Sequence, residues 1–386
     1  MNFTYDTMNR GIIMDTIKNY RRVLHQIPEV AFKEYKTHDF LVKTLQDIGF
    51  QTQTYLETDV IVFIDRKASK TIAFRSDIDG LPQEEKTQLS FQSKHAGRMH
   101  ACGHDAHMSM LLTFAHYLKE HLHELTVNVL LIFQPAEEHI GGAKKLIEAG
   151  LFKDYPVDAI FGIHVYPELA EHMITSKPGY FMAQANELTI DVHGKSAHGA
   201  MPELGIDANH IASLYLTTVY DRIKKLNQSM RVICTFGTLH GGTVKNIISE
   251  KATLEGTMRT YTKDEYDAVS LVLHETKQSL ERTYGCNIRV TIHDGYLPVY
   301  NDPTLYETFK SLMDQKHYVE MAQPLLIAED FSFYQREVPG IFFFIGTRNE
   351  DKGYIHSLHS SYFNLDEDAL ITGVESYINI LNHYMT

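Results

Sequence analysis

The stretch MHACGHDAHMSM, residues 99–110, sets His100, Cys102, His104 and His107 within eight positions, where a short extended run gives way to a helical pattern. Three chemistries compete for such a set: a buried thiol beside incidental histidines, a cysteine nucleophile with a histidine base, or a metal site. More candidates follow strand-like runs. FRSDIDG supplies Asp77 and Asp79, LLIFQPAEE supplies Glu137 and Glu138, IFGIHV ends at His164, and the run after IFFFI leads to His356 and His359. In open α/β sheets, ligands sit beyond the carboxyl ends of the strands. Loops at those ends carry carboxylate, imidazole and thiolate toward one rim.

His, Cys and Asp/Glu are the ligand set of zinc and its neighbours, and a catalytic site leaves one position open for water. More than four candidates are enough for two ions sharing one water. Of the adjacent Glu137 and Glu138, one can bind metal while the other takes the water's proton. Taken singly, each residue has an ordinary reading: Cys102 as a small buried hydrophobe, His104 and His107 as helix-start or core residues, the Glu pair as a solvated helix end. A cysteine-dependent hydrolase would use Cys102 and His104 but leave Glu137, Glu138, His164 and His359 unexplained. The serine signature G-x-S-x-G is missing, since GKSAHG has His198 at its second glycine position. H-E-x-x-H and G-x-G-x-x-G are also absent, and so is the full phosphate loop G-x-x-x-x-G-K-[ST], since the G-K-S at 194–196 has Thr189 where the first glycine should be.

Alternating strands and helices must position these groups. The segments TIKNYRRVLHQI and YKTHDFLVKTLQDIGF carry apolar residues at three-to-four spacing, and Gly49 stops the second. Strand-like runs follow at 60–64, 71–75, 126–133 and 157–165. Near-continuous apolar strands between helices predict an α/β sheet covered on both faces. A helix after Asp105 has Met108, Leu111, Leu112, Ala115 and Leu118 as its apolar face.

From about 183 the order becomes β-α-β-β-α-β, the ferredoxin-like split unit. After GYLPVYNDP the pattern resumes with a helix over 304–317, the strand IFFFI and a last helix over 366–384, which rejoin the first sheet. The expected domains are 1–181 and 296–386 for a catalytic domain in two parts, with 182–295 inserted.

The chain has 386 residues, more than one core usually organises, and its 44% hydrophobic and 22% charged composition is that of an ordinary soluble protein. A formal charge of −13 with no basic run longer than a pair argues against nucleic acid. The longest apolar runs are strand-sized and the N-terminus lacks an apolar leader core, so a cytoplasmic protein with no membrane partner is expected. Cys102, Cys234 and Cys286 are odd in number and far apart, which fits a reducing compartment.

The stretches RRVLHQIPEVAFKEYKT, RSDIDGLP, MHACGHDAHM, FQPAEE, GIHV, GKSAHGAMP, GTMRT, AEDFSFY and LHSSYFNLDEDAL, in this order over nearly the whole chain, resemble one family. It is the aminoacylase, hippurate hydrolase and auxin-conjugate amidohydrolase branch of the dinuclear metallopeptidases, which includes N-acetyldiaminopimelate deacetylases. The resemblance implies metal ligands at Cys102, His104, Glu138, His164 and His359, with the Cys102 thiolate at or near a bridging position, and a general base at Glu137. It implies two divalent ions, with Zn, Mn, Co or Ni as candidates.

By the same resemblance, Asp79 and Asp105 orient ligands; an N-cap role for Asp105 is the alternative. His198 of the inserted domain stabilises an oxyanion at the partner subunit's site, Arg259 of GTMRT binds a substrate carboxylate, Asn246 contacts substrate and Glu329 supports the ligands. Ser249, where the family usually has proline, and Ser196, where many members have glycine, depart from the pattern without touching a ligand. The implied reaction is hydrolysis of small N-acyl-L-amino acids of N-acetyl-amino-acid or N-acetyl-diaminopimelate type, with N-aroyl substrates next. The implied assembly is a homodimer through the inserted domain. A dipeptidase or carboxypeptidase, a non-catalytic metal-binding relative and a cysteine-dependent amidase are the rival readings.

Overall fold

The computed structural model describes residues 7–139 and 141–385. Residues 1–6, part of the N-terminus read above as lacking a leader, lie outside them. The chain divides into two compact units. The first comprises Met1–Phe181, Tyr300–Gln323 and Asp330–Thr386; the second comprises Met182–Val299 and Pro324–Glu329.

The first unit is built on a seven-stranded mixed sheet in the order Val60–Ile64, Asn128–Gln134, Thr71–Asp77, Ala159–Ala170, Gly340–Arg348, Ile174–Ser176 and Tyr318–Glu320. Its four central strands, Asn128–Gln134 to Gly340–Arg348, run parallel, so their carboxyl ends share one edge. Thr71–Asp77 and Asn128–Gln134 are buried at every position, as expected where both faces are covered. The His104–Glu120 helix carries more than the apolar face read from the sequence: 14 of its 17 residues are buried. It lies against the strand Thr71–Asp77 and under the helices Thr7–His25 and Ile371–Met385. The Phe74 ring joins these layers, 4.8 Å from Phe114 and 5.1 Å from Tyr377.

Local departures from the sequence reading have local causes. The helix expected over 304–317 is Pro303–Leu312, because the chain turns extended at Met313 and enters the short edge strand Tyr318–Glu320. The last helix begins at Ile371, after a single tight turn Glu367–Leu370 capped by the Asp366 carboxylate.

The second unit has a four-stranded antiparallel sheet ordered Asn287–His293, Gln184–His193, Lys251–Thr260 and Ile233–Gly241. With helices Ala208–Leu226 and Lys263–Tyr284 its chain order is βαββαβ. Alternate residues Leu188, Ile190 and Val192 are buried in one core with Ile211, Tyr215, Val219, Val269 and Leu273, the period-2 and period-3.6 patterns meeting face to face. Thr262 and Glu265 form a capping box at the second helix, and Gly285 ends it at φ 67°. Pro324–Glu329 joins this unit through backbone and side-chain bonds: Ala183 N donates to Ile327 O at 3.0 Å and the Tyr261 hydroxyl to Pro324 O at 3.1 Å.

Candidate metal centre

Each strand at the carboxyl edge ends in a residue with chemistry. Thr71–Asp77 leads to Asp77 and Asp79, Asn128–Gln134 to Glu137 and Glu138, and Ala159–Ala170 carries His164; the loop after Gly340–Arg348 returns with His359. Cys102 and His104 arrive from the helix side. Between them Gly103 sits at φ 87°, and a Cβ there would meet Val165 Cγ2 at 2.4 Å. Only glycine fits between thiol and imidazole.

Five side chains converge. Cys102 Sγ lies 3.4 Å from His164 Nε2 and 3.3 Å from His359 Nε2. Glu138 Oε1 is 3.1 Å from His359 Nε2 and 4.0 Å from His104 Nε2. Ligand atoms of Cys102, His104 and His164 lie within 4.8 Å of one another, as do those of Cys102, Glu138 and His359, so the thiol is common to two donor triplets. Glu137 joins His104 and Glu138 in a third.

Backbone carbonyls set the rings. His104 Nδ1 donates to Asp79 O at 2.8 Å and His164 Nδ1 to Val165 O at 2.7 Å, which turns each Nε2 toward the cluster. The Asp79 carboxylate stands 3.2 Å from the same His104 Nδ1 and accepts from the Glu137 and Glu138 amides at 3.1 and 3.0 Å. One aspartate thus ties the imidazole to the carboxylate pair.

This arrangement fits a cation. Burial opposes a charge on His104, but Asp77, Asp79 and Glu138 outweigh it and raise the ring to about 10. In the metal-free protein a proton therefore takes up the positive charge the carboxylates favour, on a ring whose Nε2 is buried without a hydrogen-bond partner. Burial, then Glu138 and Glu137, pushes the Cys102 thiol well above its usual range, while burial and His107 hold His164 well below its own. A thiol beside a neutral imidazole and two carboxylates lacks what a cysteine nucleophile needs; a divalent ion would deprotonate it outright.

Asp105 is not the helix N-cap, which is Gly103. Its buried carboxylate takes His25 Nδ1 at 2.8 Å and Arg21 Nε at 3.2 Å, and these oppose the burial penalty and lower its pKa. Both of these partners are on the first helix, Thr7–His25. Sequence reading assigned nothing to Arg21 and His25, or to the buried network in which Arg75 donates to Gln134, Asp77 and Asp330 at 2.8, 2.9 and 2.8 Å. The polar Arg75 inside the apolar run TIAFR was the available signal.

The remaining candidates lie in the second unit. Exposed His198 and Asn246 are neighbours, through a bridge of His198 to Ile247 and a 2.8 Å bond from Gly199 N to Asn246 O. Arg259, half-buried on the strand Lys251–Thr260, donates to Met258 O at 3.1 Å. Glu329 is buried at the end of Pro324–Glu329.

Known proteins share this architecture over its full length. The chain is 36% identical over 378 residues to an uncharacterized hydrolase of Staphylococcus haemolyticus, covering 96% of this chain and 98% of that one. It is 37% identical to another from Staphylococcus aureus, with the same coverage. A crystal structure from methicillin resistant Staphylococcus aureus matches at TM-score 0.92 with 29% identity, covering 98% of both chains. A Bacillus subtilis protein described as a dinuclear metal binding peptidase of the M20 family matches at 0.85 with 30% identity, covering 97% of this chain and 99% of that one. The model of peptidase family M20/M25/M40 matches residues 73–383. With this match, and with clusters fit for two ions at the sheet edge, the chain belongs to peptidase family M20/M25/M40 and is a metal-dependent hydrolase of amide bonds.

Proposed function

We propose that the protein is an N-acyl-L-amino-acid amidohydrolase, releasing a carboxylic acid and a free amino acid. The observation that carries the chemistry is the pairing of Glu137 with Glu138: consecutive amides on one Asp79 carboxylate, with Glu138 in the thiol-centred donor set and Glu137 beside His104. Such a pair divides labour between holding an ion and moving a proton. Cys102, His104, Glu138, His164 and His359 would hold two divalent ions, with Cys102 shared. Thiolate and imidazole favour zinc, and manganese, cobalt or nickel also suit the set. Bound ions supply Lewis acidity to a water molecule and to the amide carbonyl.

The chain's own groups do the rest. Glu137 takes the water's proton and returns it to the leaving nitrogen, so the amide leaves as a neutral amine. His198 of one subunit donates to the carbonyl oxygen at the other subunit's site as negative charge builds there. Arg259 offers a guanidinium fork to the α-carboxylate of the amino-acid half. The roles of His198, Arg259, Asn246 and Glu329 and a homodimer through the second unit rest on the motif resemblance, and a cytoplasmic setting rests on the three widely spaced cysteines. Among the described residues no helix is long and apolar enough to cross a membrane.

A dipeptidase reading has one specific support, the description of the Bacillus subtilis relative as a peptidase. A panel of N-acetyl-amino acids, N-acetyl-diaminopimelate, N-benzoyl-amino acids and dipeptides, with kcat/KM for each, separates the two. The N-acetyl compounds should lead by at least about tenfold, a difference near 1.4 kcal/mol in transition-state binding. Dipeptides leading by that margin would replace the proposal.

A further inference from the structure

Three consecutive amides lead into the carboxylate pair, and each is held by a buried carboxylate from a distant part of the chain. Glu137 and Glu138 bond to Asp79 as described; one residue earlier, Ala136 N donates to Glu34 Oε1 at 3.0 Å across 102 positions. Glu34 is entirely buried, and its Oε2 accepts from the Thr58 hydroxyl at 2.8 Å, which fixes the plane of the carboxylate.

Two features set this contact apart from ordinary packing. Glu34 occupies the N-cap position of the helix Tyr35–Ile48 yet makes no capping bond. That task falls to Glu29, whose Oε2 accepts from Lys36 N and Thr37 N at 2.8 and 3.1 Å. Glu34 is left to Ala136 and Thr58. Ala136 is also the point of strain in the turn, at φ 57°, a left-handed conformation that a residue with a Cβ rarely adopts. The fold of the chain around it requires that conformation. Gly142 N donates to Ala136 O at 3.1 Å, and a Cβ on Gly142 would lie 1.8 Å from Pro135 O, so Gly142 lies directly against Pro135 and Ala136.

We infer that Glu34 is a positioning residue for the Glu137–Glu138 pair, holding the left-handed turn at Ala136 from which both side chains project. This rests on the reading of Glu138 as a metal ligand and Glu137 as the base. Glu34 touches neither ion nor substrate; it acts through one amide.

The test compares Glu34→Gln, Glu34→Met and Thr58→Val with the wild type, using the full chain. Gln keeps an acceptor for Ala136 N and gains a donor toward Thr58; Met fills similar volume and offers neither. Affinity for Zn²⁺ and Mn²⁺ is read by competition with a chromophoric chelator, and kcat and KM are measured on metal-saturated enzyme. Glu34→Met should bind metal about 10–100-fold more weakly and lose kcat with little change in KM. Glu34→Gln should recover most of both, which a purely structural loss of volume would not distinguish. If Glu34→Met does not fold, the isosteric Thr58→Val carries the test and should weaken metal binding several-fold. Folded Glu34→Met, or failing that Thr58→Val, with wild-type metal affinity and kcat overturns the inference while leaving the metal site intact. A wild type that takes up no metal overturns the metal reading itself.

Discussion

His107 Nδ1 donates to Asp77 Oδ1 across 2.6 Å, and the same ring accepts the Val165 amide at Nε2, 2.9 Å away. Asp77, His104 and His107 are close enough to hold an ion, but His107 has both nitrogens engaged and no lone pair left for one. Burial keeps its pKa low despite Asp77, in accord with a neutral ring of fixed tautomer. Its work is to hold Asp77 and the strand next to His164.

His107→Phe should therefore keep full metal stoichiometry at saturating metal while losing stability. It leaves the Asp77 oxygen and the Val165 amide buried without partners, at about 1–3 kcal/mol each. Urea unfolding of the metal-free protein with metal analysis of the loaded variant decides the matter. A variant of wild-type stability that has lost one ion would make His107 a ligand.

Gly103→Ala should damage the centre more than its size implies. The new methyl meets Val165 Cγ2 at 2.4 Å from a backbone at φ 87°, so Cys102 and His104 must move apart or the strand must shift. Metal affinity should fall more than about tenfold, in the range seen when ligand geometry is disturbed. Isothermal titration with Zn²⁺ reads this directly, and unchanged affinity contradicts the geometry.

The Cys102 thiol of the metal-free protein should be a poor nucleophile. Burial and the Glu138 and Glu137 carboxylates hold it protonated, so carboxymethylation at pH 8, followed residue by residue by mass spectrometry, should run at least about tenfold slower than for a free thiol of ordinary pKa. Rapid labelling at neutral pH would point to a thiolate and revive the cysteine-amidase reading.

Glu34 should leave a mark on stability against pH. Burial and Asp79 raise it from 4.5 to about 7, so the fold favours its protonated form. Its contribution is fully present below pH 4.5 and is lost as pH rises through 7. Between pH 5 and 8 the unfolding free energy of the wild type, relative to Glu34→Gln, should fall by about 2–3 kcal/mol. Parallel curves for the two proteins would show that this carboxyl carries no such penalty.

The donors were legible because each breaks a local pattern. An imidazole ending the apolar run IFGIHV, or two glutamates directly after LLIFQP, stands out from its neighbours in sequence. The covered sheet and the βαββαβ unit were legible for the same reason, since burial at every position or at every second one is written in consecutive residues. What stayed hidden was defined across the chain. Glu34 lies 102 positions from Ala136 and Asp105 lies 80 from His25, and neither helix pattern hints at the contact. The three-residue strands Ile174–Ser176 and Tyr318–Glu320 are too short to show a period. Pro324–Glu329 joins the second unit through main-chain bonds that its own sequence does not encode.

Amide hydrolysis by this chain depends on bound metal and on Glu137 as the proton carrier. Its most direct test is elemental analysis alongside turnover of an N-acetyl-amino acid, for the purified enzyme, the chelated enzyme and Glu137→Gln. Two ions per chain are expected, with activity that leaves with the metal and returns when divalent metal is added, and a Glu137→Gln variant that keeps its ions while kcat falls about 10²–10⁴-fold. Turnover that survives complete metal removal and ends on alkylation of Cys102 would contradict it.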